Sequence, residues 1–167
     1  MPTTVIESIA AELVRRLARI TISNGYTFNV DSVVRPDRIG YEVNPIDSGI
    51  VLIQADSVRN TDLDHPGNPP AIAYDTIFEA HCFVRLSDRA ENDYQETQSE
   101  RAAQIIKAIT TEATDDGQWY SFEGKAINTQ LGDVKNFSIS EGNHNGVTVA
   151  LTVTHRQSEN DPYQARA

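Results

Sequence analysis

The chain has 167 residues, 39% of them hydrophobic and 23% charged, with 14 basic side chains against 24 acidic ones for a net charge of −10. That length suits one domain with a real core, and the ordinary apolar content argues against general disorder. The acidic excess disfavours a protein that grips nucleic-acid phosphates, and the lone Cys82 leaves no partner for an internal disulfide.

No apolar run approaches the roughly 20 residues that span a bilayer. Glu7, Glu12, Arg15, Arg16 and Arg19 interrupt any signal-peptide core near the start. The expectation is a protein of a reducing cytosol, with no membrane partner.

Thr4-Val5-Ile6-Glu7 has the form of a capping box, in which hydroxyl and carboxylate satisfy amide donors at a helix start. Ile6, Ile9, Leu13, Leu17 and Ile20 follow at spacings of three and four, joined by Ala10 and Val14, with Arg15, Arg16 and Arg19 off the stripe. Asn24-Gly25 tolerates the left-handed backbone of a C-cap, which places the helix end there. Residues 27–34 then alternate as a strand, with Phe28, Val30, Ser32 and Val34 on one face, until Arg35-Pro36 breaks it.

The stretch "DRIGYEVNPIDSG" reads as a loop, "IVLIQA" at residues 50–55 as a short buried strand, and "DSVRNTDLDHPGNPP" at 56–70 as a second, long loop. Residues 71–86 carry the longest alternation. Ile72, Tyr74, Thr76, Phe78, Ala80, Cys82 and Val84 point to a core, while Asp75, Ile77, Glu79, His81, Phe83 and Arg85 form a mixed opposite face. That second face is too apolar for free solvent and too charged for a core, so a helix or another subunit is expected to cover part of it.

A second helix is expected from Asn92 or Asp93, where Asp93 and Glu96 repeat the capping-box spacing, to about Thr114. It buries Tyr94, Ala102, Ile105, Ile106 and Ile109. Residues 87–117 hold eight acidic and three basic side chains, a balance of −5 and half the net charge. Trp119, Tyr120 and Phe122 should plug one end of the core, before short strands at 126–131 and 134–140 and a turn at "GNHNG". The last strand points Val147, Val149, Leu151 and Val153 inward and Thr148, Thr152 and Thr154 outward, and residues 157–167 form a polar C-terminal extension. The order helix, strands, helix, strands gives a single α+β domain, a mostly antiparallel sheet with two helices packed on it.

A search for chemistry finds no phosphate-cradling glycine loop and no nucleophile elbow. Cys82 sits on the apolar side of a strand, where an inert thiol is the ordinary outcome. The best enzymatic alternative is a metal-dependent hydrolase built on His65 with the Asp62/Asp64 pair, His81, His144 and His155 lying elsewhere. Its spacing lacks the helical separation that holds two imidazoles on one face. Arg35 and Arg38 beside Pro36 make a small basic knuckle, and no basic patch is interleaved with aromatics.

Several of these pieces fall in a familiar order: an N-terminal amphipathic helix ending in "SNGY", a strand closing on "VVRPDR", the long strand "IFEAHCFVR", an acidic helix, and a last strand giving way to "THRQSENDPY". The chain resembles the tail terminator, or tail-completion, proteins of long-tailed bacteriophages. The resemblance spans most of the sequence through short motifs, of which Arg156 followed by Asp161-Pro162-Tyr163 is the most specific, and the loop at 56–70 is longer than the family's usual connection.

The resemblance implies a structural virion protein with no catalytic residue, metal or cofactor. Copies would form a ring, usually of six, that caps the tail tube, ends its polymerisation and offers a docking surface to the head connector. DNA would pass through the hole without sequence-specific binding. Arg35, Pro36, Arg38, Arg156, Asp161, Pro162 and Tyr163 are then candidates for contact with a ring neighbour or the tube. Asp75, Glu79, Glu96 and Glu100 are candidates to line the hole. Another ring of the phage neck, a head-closure or connector protein, is the alternative within the same class.

Overall fold

The first helix begins where its capping chemistry places it. In this computed structural model, which describes residues 2–35, 49–84, 94–113, 118–139 and 144–166, the Thr4 hydroxyl accepts a hydrogen bond from the Glu7 amide at 3.3 Å and α1 runs Val5–Ala18. Ile9, Ala10, Leu13 and Leu17 are buried along one stripe. The helix stops well before Asn24-Gly25. Thr21 is extended, Ile20 turns into the core, and a short 3-10 turn occupies Ile22–Asn24. Gly25, at φ +85°, closes that turn and not the helix, while the Asn24 side-chain amide reaches back to cap the Arg19 carbonyl at 2.9 Å.

The expected strand at 27–34 shrinks to β1, Ser32–Val34. Phe28 and Val30 are buried as expected, but Ser32 and Val34 are exposed. Residues before Ser32 leave the sheet to pack beneath the second helix, where the Arg101 guanidinium lies 3.6 Å from the centroid of the Phe28 ring. β2, Gly49–Arg59, is longer than expected. It pairs with β1 in parallel through Gly49, Ile50 and Val51, then continues as one arm of a hairpin with β3, Ala71–Val84. A bulge at Ala55, between Gln54 and Asp56, keeps the pairing in step, so the loop expected at 56–70 contracts to about residues 60–70 with a 3-10 turn at Thr61–Leu63.

The second helix, α2, is described over Tyr94–Thr111, and the proposed cap at Asn92 and Asp93 lies outside the described residues. The strands expected at 126–131 and 134–140 are one strand, β4, Asn128–Ile139, in which Gly132 and Asp133 form a bulge rather than a break. β5, His144–Ser158, already contains the last three residues of "GNHNG". Gly146 is required there: a Cβ would lie 2.1 Å from Phe137 Cζ and 2.6 Å from the Cys82 carbonyl oxygen. Of the expected extension, residues 157–166 do not trail from the domain. β5 runs through Ser158, and β6, Asp161–Ala165, folds back to pair with it.

The described strands form one strongly curled sheet in the order β1-β2-β3-β5-β4, with β6 against the end of β5. Among them, only the β1–β2 pair is parallel. β3 and β5 pair without interruption from Ala71 opposite Ser158 to Val84 opposite Asn145. The two helices cover one face, burying Ile50, Leu52, Phe78, Ala80, Cys82, Val147, Val149, Leu151 and Val153 beneath Leu13, Leu17, Ile105 and Ile109. This is the expected single α+β domain with two helices on a mostly antiparallel sheet.

One end of the core is fastened by a cation. Arg16, fully buried, pairs with Glu12 at 2.9 Å, donates to the carbonyls of Ile109 and Trp119, and lies 4.4 Å from the centre of the Phe122 ring. The pattern placed Arg16 outside the apolar stripe. Its burial is tolerable because each contact offers negative charge or π density to the guanidinium.

Candidate assembly surfaces

The sheet face turned away from the helices is covered at one end by the Thr61–Leu63 turn, over Ala71 and Ala73, and no described helix packs on the rest. Period-two alternation puts Asp56 and Val58 of β2, Asp75, Ile77, Glu79 and His81 of β3, and Thr148, Ala150, Thr152 and Thr154 of β5 on this side, joined by Asp133 and Lys135 of β4. A groove of about 330 Å³ is lined by Ile77, Glu79, Gly132, Asp133, Lys135, Thr148, Ala150 and Thr152. Phe83, Phe137 and His81 close one end, with the two phenyl rings edge to face at 5.2 Å between centroids.

Of the carboxylates proposed for the lining of a hole, Asp75 and Glu79 are both on this face and both half-buried. Asp75 is tied down, accepting from Asn60 Nδ2 at 2.8 Å and Thr154 Oγ1 at 2.6 Å, so it clamps the base of the β2–β3 hairpin to β5. Glu79 meets His81 Nε2 at 2.9 Å and points into the groove. Glu100 is exposed on α2, on the opposite side of the sheet, and at Glu96 only the backbone is described. Asp75 and Glu79 therefore do not share a surface with Glu100. Their companions on the open face are Asp56 and Asp133, which sequence pattern alone did not single out, because the bulges at Ala55 and Gly132–Asp133 shift both into line.

The candidates for subunit contact divide in the same way. Arg35 forms a two-pronged ion pair with Glu7, at 2.7 and 3.1 Å, and so ties β1 to the start of α1. Pro36 and Arg38 lie outside the described residues. Arg156 Nε donates to the Leu63 carbonyl at 2.6 Å, fastening the hairpin loop to β5. Asp161 accepts from the Tyr163 amide at 3.0 Å, Pro162 is half-buried, and Tyr163 is 49% exposed on β6. The "DPY" element is thus the returning strand of a hairpin that presents a tyrosine on the surface.

Two residues of the metal alternative, Asp64 and His65, have partners within the chain. Asp64 accepts from the Ala73 amide and pairs with Arg59, both at 2.9 Å, and these partners hold its carboxyl below the usual carboxylate range. His65 Nδ1 lies against the Pro66 carbonyl at 2.7 Å. Among the described residues, no three His, Cys, Asp or Glu side chains converge as a metal site would need. His155 is buried on the core face of β5, stacked on Tyr74 at 5.9 Å and 3.3 Å from the Thr76 hydroxyl.

Compared with known proteins, the chain matches no protein-family model and no curated protein.

Proposed function

We propose that this chain is a structural ring subunit of a bacteriophage neck, a tail terminator. Copies of it would surround a hole at the end of the tail tube, stop tube growth and present a surface to the head connector. The order of sequence motifs supports the reading, and so does the helix-covered, mostly antiparallel α+β domain. The observation that carries it is the open sheet face, where the four carboxylates Asp56, Asp75, Glu79 and Asp133 outnumber the cations Lys135 and Arg156. A surface of that sign repels phosphates, which suits a passage that must release DNA and not retain it. The tied-down Asp75 and Glu79 would hold charge at fixed positions around the hole.

The chemistry asked of such a subunit is recognition alone. Exposed Tyr163 supplies a broad apolar ring with a polar tip, a residue type enriched at binding hot spots. Pro162 and the pairing of β6 with β5 keep its strand ordered before docking, which reduces the entropy lost on binding. The test is growth of purified tail tubes in the presence of the protein. Capping predicts shorter tubes with the protein at one end only. An unchanged length distribution contradicts the reading, and binding to the connector but never to tubes would move the protein to another ring of the neck.

A further inference from the structure

β4 is the last strand on its side of the sheet, and among the described residues nothing pairs with its outer edge. An unpaired edge is a template for another strand, and sheets ordinarily guard it with lysines and bulges. β4 carries both, Lys135 and the bulge at Gly132–Asp133. Its lysine, however, is matched by an aspartate two residues away. Asp133 and Lys135 lie on the open face, 3.8 Å apart and with side chains 80% and 73% exposed, so each is available to a partner.

A second β4 laid antiparallel about Val134 sets Asp133 of each copy opposite Lys135 of the other, twice by symmetry. The neighbouring registers that keep the same faces together, centred on Asp133 or on Lys135, set like charges opposite instead. Directly opposed like charges destabilise a strand pair, so the sequence selects one register. The apolar side chains agree with it. Because the bulge counts as one ladder position, Leu131 opposite Leu151 and Val134 opposite Val149 are neighbours on the other face, 38% and 48% exposed. Pairing about Val134 puts valine on valine, with Leu131 of each copy at the adjoining diagonal position.

We propose that the outer edge of β4 binds β4 of a second copy of this chain, in a two-fold antiparallel pair centred on Val134. The contact is distinct from those of a ring, which run head to tail, because a two-fold contact is complete with two copies. It also removes the edge from open-ended sheet growth. The test is the dissociation constant of the full chain, measured by sedimentation equilibrium for the native sequence, Asp133→Lys, Lys135→Asp and the double exchange.

Each single reversal should weaken the dimer by roughly tenfold to a hundredfold, through two attractive pairs becoming repulsive, and the double exchange should restore it. Circular dichroism of all four forms should coincide, since both side chains are exposed. A native chain that stays monomeric, single reversals that leave association unchanged, or a double exchange that fails to rescue would each overturn the proposal. A dimer that obeys this pattern but never caps a tube would keep the edge contact and remove the ring. Capping unaffected by the reversals, with no dimer, would do the opposite.

Discussion

Phe122, Glu123 and Gly124 are three consecutive residues in the left-handed region, at φ +49°, +58° and +78°. An L-residue there costs roughly 1–2 kcal/mol, so the turn needs tertiary support. Phe122 supplies it, 1% exposed and stacked under the buried Arg16 guanidinium. Glu123 is exposed, and its 3.2 Å contact to Lys125 is solvated and so weak. Glu123→Gly should therefore stabilise the fold by about 0.5–1 kcal/mol, the relieved backbone strain outweighing the added freedom of the unfolded chain. Urea denaturation checks this, and a destabilised variant would show that the glutamate side chain matters more than its backbone.

His155 gives the fold a dependence on pH. Burial pushes its imidazole below the ordinary value of 6.5, and the nearby Asp75 carboxylate pulls weakly the other way. The unfolded chain therefore takes up the proton at a higher pH than the folded one does. The stability linked to this group is complete above the ordinary histidine value and is lost as pH falls through it, at no more than about 1.4 kcal/mol per pH unit. The carboxyls of Glu7, Glu12 and Asp64 are held low by arginine partners and, for Asp64, the Ala73 amide, so their losses come at more acid pH. Unfolding curves between about pH 7 and pH 5.5 should show a fall in stability that is flattened in His155→Gln. Parallel slopes for the two proteins would assign the dependence to another group.

At the scale of elements, what could be read in advance was whatever local chemistry dictates. The Thr4 cap, the apolar stripe of α1 and the inward row from Thr76 to Val84 each follow from one strand or helix taken alone. The misjudged boundaries depend on neighbours. Asp56–Arg59 carries no alternation because both of its sides are exposed, so only pairing with β3 shows it to be strand. Gly132-Asp133 looks like a turn until β5 runs past it unbroken. Ile72 and Tyr74 have the core parity, yet they lie beyond the helices and are half-buried, whereas Ala71 and Ala73 on the opposite face are buried near the Thr61–Leu63 turn, where Asp64 accepts from the Ala73 amide. The candidate surface was half legible for the same reason. Asp75 and Glu79 share a strand, but Asp56 and Asp133 join them only through two bulges. The polar C-terminal extension shows the limit most clearly, because its return as β6 is set by the edge of β5 that β4 leaves open past Thr154.

At the scale of the molecule, one side of a curled sheet is sealed by two helices and the other is left open with fixed acidic charge. Such a division of faces fits the proposed role, in which the subunit works by contact and by repulsion. One edge of the sheet, where β4 and β6 both pair with β5, then offers the contact surfaces. β4 carries a self-complementary charge pair, and β6 displays Tyr163. The ring and the two-fold edge contact make different demands on them, and stoichiometry separates the two.

The most direct test of the ring reading is electron microscopy of intact phage particles labelled with an antibody against this chain. The account predicts label confined to the junction between capsid and tail, as a single band around the axis. Label spread along the tail, or particles that carry none of the protein, would contradict it.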